Sequence, residues 1–377
     1  MKLYHPNPNE HHRRLAALLK HAWNTPVVFD SDAVAQQWND SGWLNAPSVS
    51  EPDSSDKAAW IYWRTWMWEQ TLSKDTHGRP NGSASVRDLR LPEAELLTRQ
   101  WGTELGCSLE PVDRPAPILV VDIDHMFAYR GRGLVSALGG WFLDAFSGRW
   151  SALGARVHGP DPFNSHGFWC DLSQRFPQLE LQFFALLAAR KGQYDRGVKH
   201  SSLRVRELLK DLALRFEVGA HLSYASHDLS NGYRIELSFL EGILERPILR
   251  QRSHFLRNSG QDEFIGQLES LGVTEDWSLE FADVAGFRAG WASGVPLGGV
   301  LQLPVAAMDQ NFLGKSPRAI ADELHRLQAA AWSVGAPLRV GTHWRIFGPH
   351  PEVERSTKDF SSWRSGLDLW LSEWSAK

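Results

Sequence analysis

Residues 118–125 read ILVVDIDH, an apolar run that carries two aspartates near its end. The run predicts a β-strand buried on both faces, as in a parallel sheet. Side chains two residues apart on a strand point to the same side, so Asp122 and Asp124 share one face. A single aspartate at a strand end often only caps the next turn. Because burying two unpaired carboxylates is costly, the pair indicates a metal site or a general base.

Six further apolar runs follow, and helical periodicity fills most of the gaps between them. The runs are Leu179–Leu187, Phe216–His221, Ile248–Leu256, Thr274–Leu279, Val300–Met308 and Leu338–His343. The predicted helices are Gly133–Phe146, His166–Arg175, Ser202–Leu214, Gly232–Leu244, Asp262–Leu271 and Pro317–Val334. Seven strands joined by helical crossovers are typical of parallel β/α units, and a region of this length suits a closed barrel.

A proline-rich stretch separates this region from the first part of the chain. Three prolines within residues 111–117 exclude a helix and mark a linker. We therefore expect a smaller N-terminal α/β domain over residues 1–112 and the barrel over residues 113–377. The first part predicts a helix over Glu10–Trp23, a strand over Pro26–Phe29 and a buried, Trp-bearing helix over Ala59–Gln70.

Composition narrows the class of protein. The chain has 377 residues, of which 42% are hydrophobic and 22% charged, so a disordered chain is excluded. Its net charge of −4 gives no general attraction for nucleic acid. It shows no stretch long and apolar enough for an integral membrane segment, and no apolar signal region at its start. With only two cysteines, a cytoplasmic protein is expected. Nothing in the sequence specifies an oligomeric state.

Histidines recur in three of the later runs, as His221, His254 and His343. A lone histidine on a strand is usually structural. In barrels of parallel strands, however, catalytic groups collect at the carboxyl ends of the strands, where the aspartate pair also lies. Two histidines and one carboxylate with an open position form a hydrolytic metal site, most often for zinc.

The arginines indicate a functional site less strongly, and for them both a functional and a structural role stay open. Arg288 lies between two glycines, where it can hold a carboxylate or a substrate oxygen, or form a structural salt bridge. Arg250, Arg252 and Arg257 either bind an anionic substrate or pair with nearby acids.

Several short motifs occur in a fixed order along the chain. They are Asp122–Asp124, Val218–Tyr224, Arg252–Arg257, Gly286–Gly290 and Met308–Asp309. This series resembles the polysaccharide-deacetylase-like proteins of the NodB-homology superfamily, which are similar to carbohydrate esterase family 4. It is most similar to a bacterial branch with an extra N-terminal domain, whose D-x-H-G-R-F signature resembles Asp75–Arg79.

The resemblance implies a distorted (β/α)₇ barrel and a hydrolase that uses a divalent metal, zinc first, to remove an acyl group from an N-acylated sugar. It implies Asp122 as the catalytic base and His343 as the general acid. Apart from the resemblance, we expect Arg288 to orient Asp122 and keep it ionised, because a nearby cation lowers the pKa of a carboxylate. The implied metal ligands are Asp124, His221 and His254, with His227 as the alternative second histidine. We expect substrate contacts from Arg252, Arg257, Tyr224 and Asp309.

Two departures from the usual pattern of that branch keep a second hypothesis open. His221 is followed by Leu222 rather than proline, and His343 by Trp344 and Arg345 rather than Asn-Glu. A barrel with weakened catalysis that serves as a carbohydrate-binding or scaffold protein is the alternative. A glycosidase that uses the aspartate pair is disfavoured, because carboxylates two residues apart on one strand are poorly placed to flank a sugar bond.

Overall fold

The computed structural model describes residues 1–32, 35–129, 160–197, 200–257, 261–349 and 359–376. Strands in these ranges form two sheets. Strands β1 (Lys2–Tyr4) and β2 (Val28–Asp30) pair in parallel as the smaller sheet. The larger sheet contains β3 (Ile118–Ile123), β4 (Glu180–Leu186), β5 (Glu217–Leu222), β6 (Arg250–Ser253), β7 (Glu275–Asp276), β8 (Val295–Leu297), β9 (Val300–Gln302), β10 (Ala307–Met308) and β11 (Arg339–His343).

Helices of the described residues follow most strands of the larger sheet. They are α1 (Glu10–Trp23), α2 (Lys57–Tyr62), α3 (Glu93–Glu104), α4 (His166–Arg175), α5 (Leu203–Ala213), α6 (Gly232–Leu244), α7 (Asp262–Ser270), α8 (Pro317–Trp332) and α9 (Ser361–Ser375). The larger sheet has the order β10-β11-β3-β4-β5-β6-β7-β9-β8, and only the β8–β9 pair is antiparallel. The prediction of parallel β/α units is thus confirmed.

The segment Val300–Met308 joins the two ends of this sheet. Its first part, β9, pairs with β7, and its last part, β10, pairs with β11. Between these strands, the Leu303 peptide N–H donates to Asp276 O at 2.7 Å and the Ala306 peptide N–H donates to Arg339 O at 2.9 Å. The sheet is therefore curled into a distorted barrel. Because β9 and β10 share one position, the barrel has seven parallel positions.

Alternation along β3 sorts its side chains between two cores. The outer core, between the sheet and the helices, includes Leu119, Val121 and Ile123. The inner core, inside the barrel, includes Ile118 and Val120. Because side chains alternate along a strand, Asp122 continues the inward-facing set, and Asp124 follows on the same side just after the strand ends. Apolar packing of the strand therefore fixes the direction of both carboxylates.

Gly219 of β5 is required by close packing inside the barrel. A Cβ atom at this position would lie 2.7 Å from Arg250 O and 2.7 Å from the Phe184 ring. The bare backbone lets Phe184 fill the barrel interior beside the strand that carries His221. Larger residues at position 219 would displace either the ring or the neighbouring strand β6.

The Trp-bearing segment of the N-terminal region is helical and packs on the barrel. It consists of α2, a π-helical turn (Trp63–Met67) and a 3₁₀ turn (Trp68–Thr71). Trp291 Nε1 donates to Thr65 Oγ1 at 2.9 Å. The apolar core of the N-terminal region also includes barrel-side residues, namely Leu279, Ala289, Trp291 and Val295.

Four elements were not predicted, namely β1, α3, β8 and α9. The carboxyl-terminal helix α9 buries Trp363, Leu367 and Trp370, and β8 adds the antiparallel edge strand. The predicted helix Gly133–Phe146 lies outside the described residues. No helix in the described ranges combines the length and apolarity needed to cross a bilayer.

Candidate metal centre and active site

The carboxyl ends of four strands surround a cavity of about 200 Å³. Its lining includes Asp122, Asp124, His221, His254 and His343. Strand register explains how residues so far apart in sequence meet. His343 of β11 is paired with Asp122 of β3, while His221 of β5 lies beside β6, which leads into His254.

Three of these side chains form a group that could hold a metal ion. Potential ligand atoms of Asp124, His221 and His254 all lie within 4.8 Å of one another. Asp124 Oδ1 is 3.3 Å from His221 Nε2 and 3.6 Å from His254 Nε2. This oxygen is buried and receives no hydrogen bond within the described part of the chain. A buried, unsatisfied carboxylate oxygen between two imidazoles is the environment a cation would complete.

The far nitrogen of each imidazole shows which nitrogen carries the proton. His221 Nδ1 lies 2.9 Å from Arg252 O, a carbonyl that only accepts. His254 Nδ1 lies 2.9 Å from Asp195 Oδ1. Each Nδ1 atom thus has an acceptor for its proton, so each ring, in the neutral form that a metal ligand needs, would present an Nε2 lone pair towards Asp124. Outer acceptors of this kind orient histidine ligands in metal sites, and these residues therefore fit a divalent cation.

Asp195 was not identified from the sequence. It is 1% exposed and also accepts hydrogen bonds from the peptide N–H groups of Tyr224 and Ala225, each at 2.9 Å. Burial alone raises the pKa of Asp195, but His254 and these peptide donors together lower it. Asp195 lies in a loop after β4, where no hydrophobic periodicity marks a residue as functional. Only the tertiary structure shows that it lies beside His254.

The second oxygen of Asp124 faces other cationic groups. Arg345 Nη1 donates to Asp124 Oδ2 at 2.9 Å, and His343 Nε2 lies 3.5 Å from the same oxygen. Burial is the largest single influence and raises the pKa of Asp124, but three surrounding histidines and Arg345 together hold it well below its ordinary range. Asp124 is therefore ionised at neutral pH.

Asp122 is held by Arg252 and not by Arg288. Arg252 Nε donates to both Asp122 oxygens, at 2.9 and 3.0 Å. Arg288 instead donates to both oxygens of Glu69, at 2.8 and 2.9 Å. The expectation that Arg288 orients Asp122 is therefore wrong: its loop turns towards the N-terminal region, whereas β6 points Arg252 into the barrel.

Arg252 is also not placed as a substrate-binding residue. It is 1% exposed, and its other donors are taken by Trp277 O at 2.6 Å and Glu280 Oε2 at 2.5 Å. Two acids therefore share one guanidinium. Burial, the largest influence, raises the pKa of Glu280 to about 7, although the contact with Arg252 works against this rise. Glu280 lines the cavity and was missed, because no motif or periodicity marked it.

His343 forms a buried pair with Asp309. The His343 Nδ1 atom lies 2.8 Å from Asp309 Oδ2, and the His343 peptide N–H donates to the same oxygen at 2.8 Å. Burial is the largest influence and lowers the pKa of His343, but Asp309 and Asp124 together raise it above its ordinary value. Asp309 is itself fully buried. Its predicted role in substrate binding is therefore corrected: it holds His343, which turns Nε2 towards the cavity.

The remaining candidates, Tyr224, Arg257 and His227, are not among the residues that line the cavity. Tyr224 and Arg257 are half-buried and stacked, with Arg257 Cζ 4.3 Å from the centre of the Tyr224 ring. Arg257 also pairs with Asp228. His227 points elsewhere, because its Nδ1 atom contacts Tyr233 Oη at 2.6 Å and it is not part of the metal-binding group. Burial lowers the pKa of His227 to about 3.

Comparison with known proteins gives likeness at the level of solved structures. No protein-family model and no curated protein sequence matches the chain. A protein from Mycobacterium smegmatis described as a polysaccharide deacetylase shares 15% identity at a TM-score of 0.44, covering 71% of this chain and 86% of that one.

Two further solved structures are similar. A polysaccharide deacetylase from Bacillus cereus shares 10% identity at a TM-score of 0.33, covering 70% of this chain and 89% of that one. A mutant of a CE4-family pseudoenzyme with restored activity shares 9% identity at a TM-score of 0.33, covering 71% of this chain and 65% of that one.

Proposed function

We propose that this protein is a metal-dependent hydrolase that removes an N-acyl group, such as acetyl, from a carbohydrate. One observation carries the proposal: the Nε2 atoms of two histidines and the unsatisfied Oδ1 atom of Asp124 meet in a cavity that also contains Asp122 and His343. Asp124, His221 and His254 would hold the ion, and zinc suits this set of one oxygen and two nitrogen donors.

Zinc, when bound, supplies Lewis acidity that polarises an acyl carbonyl and makes a water molecule more acidic. Asp122 would accept the proton of the attacking water. Arg252 donates to both oxygens of Asp122, so Asp122 is held in one orientation beside the metal-binding group. A base in a fixed orientation avoids the cost of reorganisation during proton transfer.

His343 would give a proton to the leaving amine. Its Nδ1–H is held by Asp309, so a protonated ring has only Nε2–H to donate into the cavity. The raised pKa of His343 favours the charged form near neutral pH, which is the form a general acid needs. Asp122 and His343 lie on neighbouring strands, which places base and acid within one small cavity.

Arg345 favours a second candidate function, a barrel that binds carbohydrate with little or no turnover. Its guanidinium already neutralises Asp124 through the 2.9 Å contact. A divalent ion at Asp124 would lie close to this positive charge, and the repulsion would weaken metal binding. A chain that cannot retain metal would keep the cavity and lose the chemistry.

The test compares two histidines in the same part of the fold. We would measure zinc content by mass spectrometry and acetate release from a panel of N-acetylated oligosaccharides, for the wild type, His254→Gln and His227→Gln. We expect stoichiometric zinc and acetate release from the wild type and from His227→Gln, and loss of both from His254→Gln. Zinc without acetate release would overturn the proposed deacylation. A wild-type protein that binds no zinc would exclude the metal hydrolase and favour the binding protein.

A further inference from the structure

A loop of the N-terminal region, Asp75–Arg79, reaches the candidate active site. Asp75 organises the loop, because its Oδ1 atom accepts the peptide N–H groups of His77 and Arg79, at 2.8 and 3.0 Å. Its Oδ2 atom accepts Arg79 Nε at 2.8 Å. The guanidinium is therefore fixed on one side, and Arg79 lines the cavity on the other.

The loop meets a strained part of the barrel. Directly after His254, Phe255 has φ 61° and ψ 15°, and Leu256 has φ 53°. Both residues are in the left-handed region, where a Cβ atom crowds the backbone. Consecutive left-handed residues other than glycine persist only where surrounding contacts hold them, and such sites concentrate near functional groups.

Phe255 is contacted by the barrel residues Tyr194 and Tyr224, with ring centroids 4.9 and 5.7 Å from its own, and by the N-terminal loop. Arg79 Nη1 donates to Phe255 O at 3.2 Å, and the guanidinium lies 5.9 Å from the centre of the Phe255 ring. The His77 ring packs against the same ring, with centroids 5.0 Å apart. Asp75 thus holds Arg79, and Arg79 and His77 hold Phe255.

We propose that Arg79 is a positioning residue for the metal site: it holds Phe255 in its left-handed conformation and thereby fixes His254. The inference rests on the proposed function, because it concerns the same three ligands. It also gives the N-terminal region a role in the chemistry of the barrel. If Phe255 relaxed, the backbone that carries His254 would rotate, and Nε2 would leave its position near Asp124 Oδ1.

The test measures zinc affinity by competition with a chromogenic chelator in Arg79→Gln, with Arg90→Gln as the control. Arg90 also belongs to the N-terminal region, but its side chain is 52% exposed. We expect about tenfold weaker zinc binding in Arg79→Gln, the usual effect of removing an outer contact to a metal ligand, and no change in Arg90→Gln. The absorption spectrum of the cobalt-substituted protein reports whether the ligand geometry has moved.

A second background separates positioning from general damage to the fold. Phe255→Gly relieves the strain, because glycine adopts the left-handed conformation freely. In that background, we expect Arg79→Gln to change zinc affinity by less than about twofold. Equal losses in the two backgrounds, or an unchanged affinity in Arg79→Gln alone, would overturn the proposal.

Hydrogen exchange keeps the two proposals distinguishable. We expect faster amide exchange in residues 254–257 of metal-free Arg79→Gln than in the wild type, because Arg79 holds Phe255 before any ion binds. If the wild type bound no zinc but this exchange rose, the proposed function would fail and the positioning role would stand. Unchanged exchange would exclude the positioning role.

Discussion

Two buried aspartates in the same barrel have opposite electrostatic environments. Asp276 of β7 is fully buried, and its Oδ1 atom accepts the side chain of Gln251 at 2.5 Å and the peptide N–H of Ser278 at 3.0 Å. Asp124 is 7% exposed, and its Oδ1 atom receives no hydrogen bond within the described part of the chain. Burial is therefore similar, but the partners differ.

The pKa values of the two carboxyls move in opposite directions. Burial raises the pKa of Asp276, and hydrogen bonds from Ser278 and Gln302, with a smaller effect of the Arg252 charge, only moderate that rise. Asp124 is surrounded by histidines and Arg345, which outweigh burial and lower its pKa. A buried acid among amides and hydroxyls is thus structural, whereas one surrounded by histidines and an arginine is held in the ionised form that a metal ligand needs. The direction of the surrounding groups, rather than burial, distinguishes a site from a core.

The strongest test of this comparison exchanges each aspartate for asparagine. Asp124→Asn should weaken zinc binding by more than about 100-fold and abolish acetate release, because a ligand with a full charge is lost. Asp276→Asn should leave zinc affinity unchanged. Calorimetric zinc titration of both variants measures the difference. Equal effects would mean that Asp124 is as structural as Asp276.

The next largest effect concerns the proton donor. His343→Ala should lower kcat by about 10²–10⁴, with zinc content retained, because a general acid is removed. The raised pKa of His343 means that the charged acid persists to a higher pH than for an ordinary histidine, and activity falls as pH rises through that value. Asp309→Asn should move this fall to lower pH. A pH profile of kcat that is identical in Asp309→Asn would contradict the assignment.

A third effect separates the base from the metal site. Asp122→Asn should lower kcat by about 10²–10³ at unchanged zinc affinity, because Asp122 is paired with Arg252 and lies outside the metal-binding group. Metal analysis and acetate release in parallel measure the two quantities. Loss of zinc from this variant would show that Asp122 is itself a ligand.

Arg345 predicts a smaller effect, with the opposite sign. Arg345→Gln should tighten zinc binding by about tenfold, because a positive charge beside Asp124 is removed. Arg318, which is exposed and paired with Asp322, offers a matched control. Weaker zinc binding in Arg345→Gln would mean that the arginine supports the ligand instead of competing with the ion.

The smallest effect is on stability. The pKa of Asp276 is raised in the folded protein, so between its unfolded and folded pKa values the native state binds more protons than the unfolded state. Stability therefore falls as pH rises through that window. Asp276→Asn should remove this dependence and change the free energy of unfolding by about 1 kcal/mol or less at pH 4. Urea unfolding at several pH values measures it, and an unaltered pH dependence would exclude the raised pKa.

Local pattern predicted much of the fold. The run Ile118–Ile123 and helices such as Gly232–Leu244 have the same bounds in the structure as in the sequence analysis. Hydrophobic periodicity is a local property, so it identifies elements and the side to which a residue points. The inward direction of Asp122 and Asp124 could be predicted for this reason.

The meeting of the carboxyl ends of parallel strands predicted a cluster of aspartates and histidines at one edge, and the family resemblance implied Asp124, His221 and His254 as its ligand set. The hydrogen-bond partners of these three residues could not be predicted from the sequence. Whether Arg252 or Arg288 reaches Asp122 depends on the direction of strand β6 and of the loop that carries Arg288. Asp195, Glu280 and Arg345 carry no motif of their own, and their roles come from contacts across the barrel.

The sequence by itself therefore determined the alternating strands and helices, the parallel barrel and the residue types that face its carboxyl end. Only the tertiary structure decided which charge pairs with which, how the segment Val300–Met308 closes the barrel, and that the N-terminal loop holds Phe255. The reason is physical. Periodicity depends on neighbours in sequence, whereas a charged side chain responds to every group within a few ångströms, wherever that group lies in the chain.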